Sequence, residues 1–254
     1  MADFFGTILD DTLTGNVSEG DLIFGFAGAD SISGLDGGDT VAGGEGNDFI
    51  SGDLENDWLF GNQGNDTMLG GAGNDSIAAG RDNDSVFGGV GDDVIFGNLG
   101  ADVIDGGEGQ DTIFGGKDDD LISGGRGNDW LSGDFGDDLL VGVNLAENHA
   151  GMNEVDTLTG GAGFDTFVLG DENQSFYVGG GNSDFAVIAD FNIIFDFIAV
   201  RDTDSINLVN MSIDGFGDGV GIFENAAGQT DLIGFVQDAN AEFLNIERDF
   251  IDLV

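Results

Sequence analysis

The sequence predicts an all-β protein: a parallel β-roll of nonapeptide repeats followed by a small antiparallel β-sandwich-like C-terminal region. Three observations lead there. Aspartate recurs every nine residues over most of the first two thirds of the chain, and an apolar residue follows each of these aspartates by two. After Leu169 the repeat gives way to short alternating apolar and polar runs bounded by turn residues.

Residues 1–15 read as an N-terminal cap and an offset repeat. "GTILDDTLT" (6–14) is a copy of the later pattern displaced by one residue, and Phe4 and Phe5 are placed to cover the open first strand, whose unpaired backbone would otherwise invite stacking.

Residues 16–169 read as the roll. Counting by nines from Asp21 gives Asp30, Asp39, Asp48, Asp57, Asp66, Asp75, Asp84, Asp93, Asp102, Asp111, Asp120, Asp129 and Asp138 without a slip, and the phase returns at Asp156 and Asp165. Two residues after these stand Ile23, Ile32, Val41, Ile50, Leu59, Met68, Ile77, Val86, Ile95, Ile104, Ile113, Ile122, Leu131, Leu140, Leu158 and Phe167. From Asp21 to Asp138 the residue five places earlier is Gly, with Asn16 and Ala79 as the exceptions.

A nine-residue period cannot build an amphipathic helix, because it offers one apolar residue per two and a half helical turns. A short strand between turns uses it well. Glycines at the first, second and fourth positions are expected to permit left-handed backbone, so that six residues turn and the last three form a strand with its middle side chain inward. Two nonapeptides then close a coil of about 18 residues, and stacked coils enclose a single file of aliphatic side chains.

This geometry places aspartates of successive coils on one edge, roughly 4.8 Å apart. Two bare carboxylates at that spacing repel by about 1 kcal/mol in water and by about 3–4 kcal/mol at an effective dielectric of 20. A hard divalent cation reverses the sign, taking carboxylate oxygens from two coils and carbonyl oxygens from turns that lack Cβ atoms. Calcium, with six to eight oxygens in flexible geometry, suits such turns better than magnesium. With no Cys and one His, zinc and copper are poorly served.

The repeat resembles that of the RTX (repeats-in-toxin) proteins, G-G-x-G-x-D-x-U-x with U apolar. The likeness runs continuously over about 16–141 and again over 156–168. It implies a right-handed parallel β-roll with calcium ions in the turns of both edges, folded outside the cell. The sixth-position aspartates from Asp21 to Asp165 named above become its calcium ligands.

Some repeats depart from the pattern. Glu19, Glu55, Asp82 and Asp118 replace the fourth-position Gly; Glu55, Asp82 and Asp118 either add a ligand or tolerate a left-handed conformation. A degenerate coil is expected at 142–155, where "GVNLAENHA" (142–150) puts Glu147 in place of Asp and His149 in place of the aliphatic residue. His149 reads as a surface loop residue rather than a ligand.

The seventh and ninth positions face outward, and odd and even repeats build opposite sheets. The odd sheet carries Leu22, Phe24, Trp58, Phe60, Val94, Phe96, Phe114 and Trp130; the even sheet carries Phe49 and Phe87 among serines. Trp58 and Trp130, four coils apart, are expected on the same side. An aromatic face formed by Phe24, Trp58, Phe60, Phe96, Phe114 and Trp130 marks a contact, with another copy or with a matrix component.

Residues 170–254 read as a β-rich domain of short antiparallel strands. "DFAVIADFNIIFDFIAV" (184–200) looks like a strand pair with a bend between Asp190 and Asp196, although Ile193, Ile194 and Phe195 stand where turn formers would be expected. The end "RDFIDLV" resembles the uncleaved C-terminal signal of type I secretion substrates.

Composition narrows the function classes. A net charge of -45 with only Arg81, Lys117, Arg126, Arg201 and Arg248 as cations excludes nucleic acid and anionic membrane as natural partners. No run of 18 apolar residues can span a bilayer as a helix, and the N-terminus lacks a cleavable export signal. No HExxH, GxSxG or Cys/His couple is present, the roll begins almost at Met1, and the ladder carboxylates are already assigned to calcium. The expectation is therefore a non-enzymatic, secreted, calcium-stabilised surface or matrix protein that self-associates and uses type I secretion machinery. The alternatives are an accessory module acting in trans with a separate effector, or a component of a polysaccharide-modifying enzyme. Ice binding needs a regular outward Thr/Asn ladder, which the third positions do not supply.

Overall fold

The computed structural model describes residues 2–17, 19–143, 154–170, Tyr177, 184–201, 206–226, 229–239, Leu244 and 250–252. Among them the chain forms strands and no helix. Contacts divide it into two units, Met1–Ile122 and Ser123–Val254, each built around coils of a parallel β-solenoid.

In the first unit one sheet runs β1 (Asp3–Phe5), β3 (Leu22–Ala27), β5 (Thr40–Glu45), β7 (Trp58–Gln63), β9 (Ser76–Arg81), β11 (Val94–Leu99) and β13 (Thr112–Lys117). The other runs β2 (Thr12–Thr14), β4 (Ser31–Ser33), β6 (Phe49–Leu54), β8 (Thr67–Ala72), β10 (Ser85–Val90) and β12 (Val103–Glu108). All pairs are parallel and in register at one coil, as in Val41↔Leu59 and Val86↔Ile104. The offset copy joins with one extra residue, Asp3 pairing with Leu22 and Thr12 with Ser31. Phe4 lies beside Ile23 in the core row, and Phe5 stacks on Phe24 at 5.9 Å.

The core is the single file the period requires. Every apolar residue two places after a ladder aspartate, from Ile23 to Leu140 and again at Leu158 and Phe167, is at most 1% exposed. A nine-residue repeat gives each strand one central side chain, and the two sheets alternate in supplying it.

Two local expectations need correction. Most strands of the first unit cover six residues rather than three, because coil-to-coil backbone bonds continue into the turn, as from Gly46 N to Gln63 O at 2.8 Å. The first-position glycine, moreover, does not adopt left-handed backbone. Among the described residues of the repeats, positive φ is confined to the second and fourth positions, as at Gly71 (115°) and Gly73 (145°), while Gly70 is required for space. Glu55, Asp82 and Asp118 themselves take φ of 72–73°, so at these places the chain tolerates the left-handed conformation.

In the second unit, β15 (Trp130–Phe135) pairs with β17 (Val155–Ala162), and β16 (Leu139–Val143) with β18 (Thr166–Val168). The register steps by 27 residues, Leu131 opposite Leu158, so one whole nonapeptide is passed over. Of "GVNLAENHA", which lacks the Asp and the aliphatic residue of the repeat, Gly142 and Val143 end β16, and Glu147 and His149 lie outside the described residues. β19 (Phe185–Ile188), β20 (Phe197–Val200) and β24 (Phe250–Asp252) remain parallel to their neighbours.

The antiparallel part is a meander of β21 (Ile206–Ile213), β22 (Gly217–Ala226) and β23 (Gln229–Gln237), which adds to β19 through β23. Phe185, Val187, Leu232 and Phe235 form its buried cluster. The bend between Asp190 and Asp196 is present although Ile193, Ile194 and Phe195 are not turn formers. Asn192 closes it: its carbonyl accepts from the Phe195 and Asp196 amides and its side chain from Ile194 N, while its own N–H donates to Asp196 Oδ2 at 2.6 Å. Of "SFYVGG", "EFLNI" and "RDFIDLV", only Tyr177, Leu244 and Phe250–Asp252 are described.

Candidate metal centres

All sixteen sixth-position aspartates are buried, at 3% exposure or less. Their placement follows from the turn. Each Asp is the last turn residue before a strand, and its side chain folds back under the turn, as Asp75 does beneath Gly70 and Asp102 beneath Gly97.

One carboxylate oxygen is committed to the fold. Along one edge Oδ1 of an Asp accepts the backbone N–H of the Asp one coil earlier, as in Asp39 N to Asp57 at 2.7 Å, Asp57 N to Asp75 at 2.8 Å and Asp75 N to Asp93 at 2.7 Å, while Asp21 Oδ1 accepts from Ala2 N. The opposite edge repeats this from Asp30 N to Asp48 through Asp102 N to Asp120, each at 2.7–2.8 Å. In the second unit Asp129 N donates to Asp156, Asp138 N to Asp165 and Asp165 N to Asp196.

The other oxygen is the candidate donor. Oδ2 of Asp30, Asp39, Asp48, Asp57, Asp66, Asp75, Asp84, Asp93, Asp102 and Asp165 is buried without any hydrogen-bond partner. A buried charged oxygen in that condition costs about 1–3 kcal/mol or more, and ten in one fold point to an absent positive group. A Cβ on Gly70 would lie 2.5 Å from Asp75 Oδ2 and 2.4 Å from the carbonyl oxygen of Gly88, one coil on. At Gly97 the corresponding values are 2.4 Å to Asp102 Oδ2 and 2.5 Å to Gly115 O. No ion can sit so close to a glycine Cα, but a carboxylate of one coil and a carbonyl of the next face the same opening.

Burial pushes these carboxyls upward from the ordinary 3.8: Asp57, Asp66, Asp93 and Asp165 to about 7, Asp84 to about 8, and Asp48, Asp102 and Asp111 to about 6. Neighbouring ladder aspartates add to the rise at Asp57, Asp84 and Asp93. Asp21, at the first coil, is held low by the Asn16 and Ala2 amides.

The donor set fits calcium: hard oxygens, one carboxylate and one carbonyl per coil, repeated on both edges. Among the described residues no three acidic or histidine side chains converge on one point, so any ion must draw on backbone carbonyls as well. The carboxylates would hold it, and the ion would supply the positive charge that the buried oxygens lack.

Asp156 differs from the others. Its Oδ2 accepts the O–H of Tyr177, a fully buried side chain, at 2.5 Å. The sequence reading also missed two features. Asp196 extends the ladder, and the signal was legible: "Asp196-Phe197-Ile198" keeps the repeat's spacing, with Ile198 fully buried. The fifth-position side chains form a second ladder in the opposite sense, Asn47 Oδ1 accepting from Asn65 N, Asn65 from Asn83 N and Asn83 from Ala101 N at 3.0–3.1 Å.

The family model for the RTX calcium-binding nonapeptide repeat matches overlapping windows that together cover residues 5–140 and 151–184, well over half of the chain. No curated protein matches. Among solved structures, the extracellular lipase LipA of Serratia marcescens aligns at 13% identity and a TM-score of 0.21, covering 98% of this chain and 40% of that one. The chain thus spans less than half the length of that protein, and a likeness at this score carries no argument. No helix among the described residues is long and apolar enough to cross a membrane.

Proposed function

The chain belongs to the RTX calcium-binding nonapeptide repeat family, and from that premise we propose that it is a secreted, non-catalytic structural protein whose roll is completed by calcium. The observation that carries this is the row of buried Oδ2 atoms without donors. Each cradle offers a carboxylate from one coil and a carbonyl from the next, so every ion ties two coils together. The ligands are the aspartates from Asp21 to Asp165, with the site at Asp156 closed by Tyr177 in place of an ion.

Export through type I machinery and assembly at the cell surface or in extracellular matrix complete the reading. Millimolar calcium outside the cell would fold the chain after passage. Self-association is assigned to the outward face of the odd strands, where Trp58 is 60% exposed and Phe96 stacks on Phe114 at 5.0 Å. Phe24, Phe60 and Phe114 are half-buried, and Trp130, in the second unit, is exposed. The test is calcium stoichiometry by equilibrium dialysis on the intact protein and on Asp93→Asn. The expected result is many ions per chain with fewer in the variant; a chain that binds no calcium at millimolar concentration overturns the proposal.

A further inference from the structure

The outward face of the odd sheet in the first unit is corrugated. β3, β7 and β11 carry large side chains in the outer rows, while β5 and β9 between them carry Thr40, Ala42 and Gly44, and Ser76, Ala78 and Gly80. The registers align these in straight rows: Ala42, Phe60, Ala78 and Phe96 are successive neighbours. Ridges thus stand two strands apart, about 9.6 Å. Over β9, lined by Phe60 and Asn62 on one side, Ala78 and Gly80 at the floor, and Asn98 and Leu99 on the other, lies an open groove of about 490 Å³.

A backbone observation marks the same alternation. The second turn position is glycine on β5, β9 and β13 (Gly44, Gly80, Gly116) but Phe26, Asn62 and Asn98 on the ridges β3, β7 and β11, these three with φ of 77–81°. The left-handed conformation costs a non-glycine residue about 1–2 kcal/mol. On the other sheet of this unit the position runs Leu35, Asp53, Gly71, Gly89, Gly107 with no alternation. Both sheets therefore hold non-glycine residues in this conformation, but only on this one do they alternate with glycine, in step with the ridges of β3, β7 and β11.

Charge distinguishes this face too. In a chain of net charge -45, strands β3, β5, β7, β9, β11 and β13 contain one acidic residue, Glu45, and two cations, Arg81 and Lys117. It is a surface that a second, equally acidic copy can approach.

We propose that this face docks on the same face of a second copy, about a two-fold axis parallel to the strands and midway between β7 and β9. This rests on the self-association reading above and names its partner and geometry. The axis sets every central ridge over a low strand: Trp58 opposite Ser76, Phe60 opposite Ala78, and Phe96 opposite Ala42 of the second copy. It also lays Glu45 against Leu99 of the second copy, flanked in its row by Arg81 and Lys117, so the one acid meets both cations. An isologous contact of this kind closes as a dimer and does not propagate. Six strands of about 20 Å offer about 600 Å² per copy, at the low end of specific interfaces, so the dimer forms in a concentration-dependent way.

Sedimentation velocity of the calcium-loaded full chain over rising concentration tests this, with circular dichroism confirming an unchanged fold. Ala78→Phe enlarges the apolar surface but fills the groove; the expected effect is a dimer weakened tenfold or more, where nonspecific stickiness would strengthen it. Glu45→Lys, at an exposed position that leaves folding intact, should weaken the dimer similarly, and adding Arg81→Glu and Lys117→Glu should restore it. A wild-type dimer unmoved by Ala78→Phe and Glu45→Lys refutes this face while leaving self-association standing. A chain monomeric at every concentration refutes both.

Discussion

The metal-free and calcium-loaded proteins should respond to pH in opposite senses. Eight ladder carboxyls, Asp48, Asp57, Asp66, Asp84, Asp93, Asp102, Asp111 and Asp165, are raised by burial from 3.8 to about 6–8. Without calcium the folded chain therefore holds more protons than the unfolded chain between about pH 4 and 8, and stability falls as pH rises through that window. A rise from 3.8 to about 7 corresponds to about 4 kcal/mol per carboxyl at 1.36 kcal/mol per unit. Backbone hydrogen bonds and residual solvent reduce this, but a third of it over eight sites reaches about 10 kcal/mol, the whole stability of an ordinary domain. With calcium the ion needs the deprotonated carboxylate, so stability rises with pH. The assay is urea unfolding followed by circular dichroism at pH 5.5 and pH 8, above the isoelectric point near 4.1. In chelator the pH 5.5 sample should be folded and the pH 8 sample unfolded; in calcium the pH 8 sample should be the more stable. A chelated protein that gains stability toward pH 8 would refute the reasoning.

Other perturbations probe single parts. Gly70→Ala places a methyl against Asp75 Oδ2 and Gly88 O, so it should raise the calcium midpoint of folding, whereas Ala79→Gly, at the corresponding place ahead of Asp84, should lower it; a fluorescence titration reads both. Ile95→Ala empties a fully buried core position and should cost about 2–5 kcal/mol in the calcium-loaded protein by urea unfolding. Asn83→Ala removes the acceptor for Ala101 N and should cost about 1 kcal/mol by the same assay, with calcium stoichiometry unchanged. Tyr177→Phe strips Asp156 Oδ2 of its donor and should cost about 1–3 kcal/mol in thermal unfolding.

The roll was legible because one period carries the aspartate, the glycine and the aliphatic residue together, and each has a single geometric use. The fourteen continuous aspartates and their aliphatic partners lie where counting by nines put them. What sequence counting could not resolve was which carboxylate oxygen does what: the coil-to-coil bond to Oδ1 and the unpartnered Oδ2 are consequences of stacking, visible only once two coils are adjacent. The 27-residue step at Leu131↔Leu158 shows the same limit. A periodic sequence counts repeats, but pairing decides which repeat is a neighbour. The meander β21–β23 was readable as strands, whereas its attachment through β23 to β19 depends on Phe185, Val187, Leu232 and Phe235 burying together, contacts too distant in sequence to be counted.

The most direct measurement is far-UV circular dichroism of the intact chain at pH 8, first in chelator and then through a calcium titration. The account predicts a disordered spectrum that converts cooperatively to β-structure at millimolar calcium, with magnesium far less effective. A β-rich spectrum of unchanged amplitude and melting temperature in chelator would contradict it, because the buried carboxylates would then be stable without a cation.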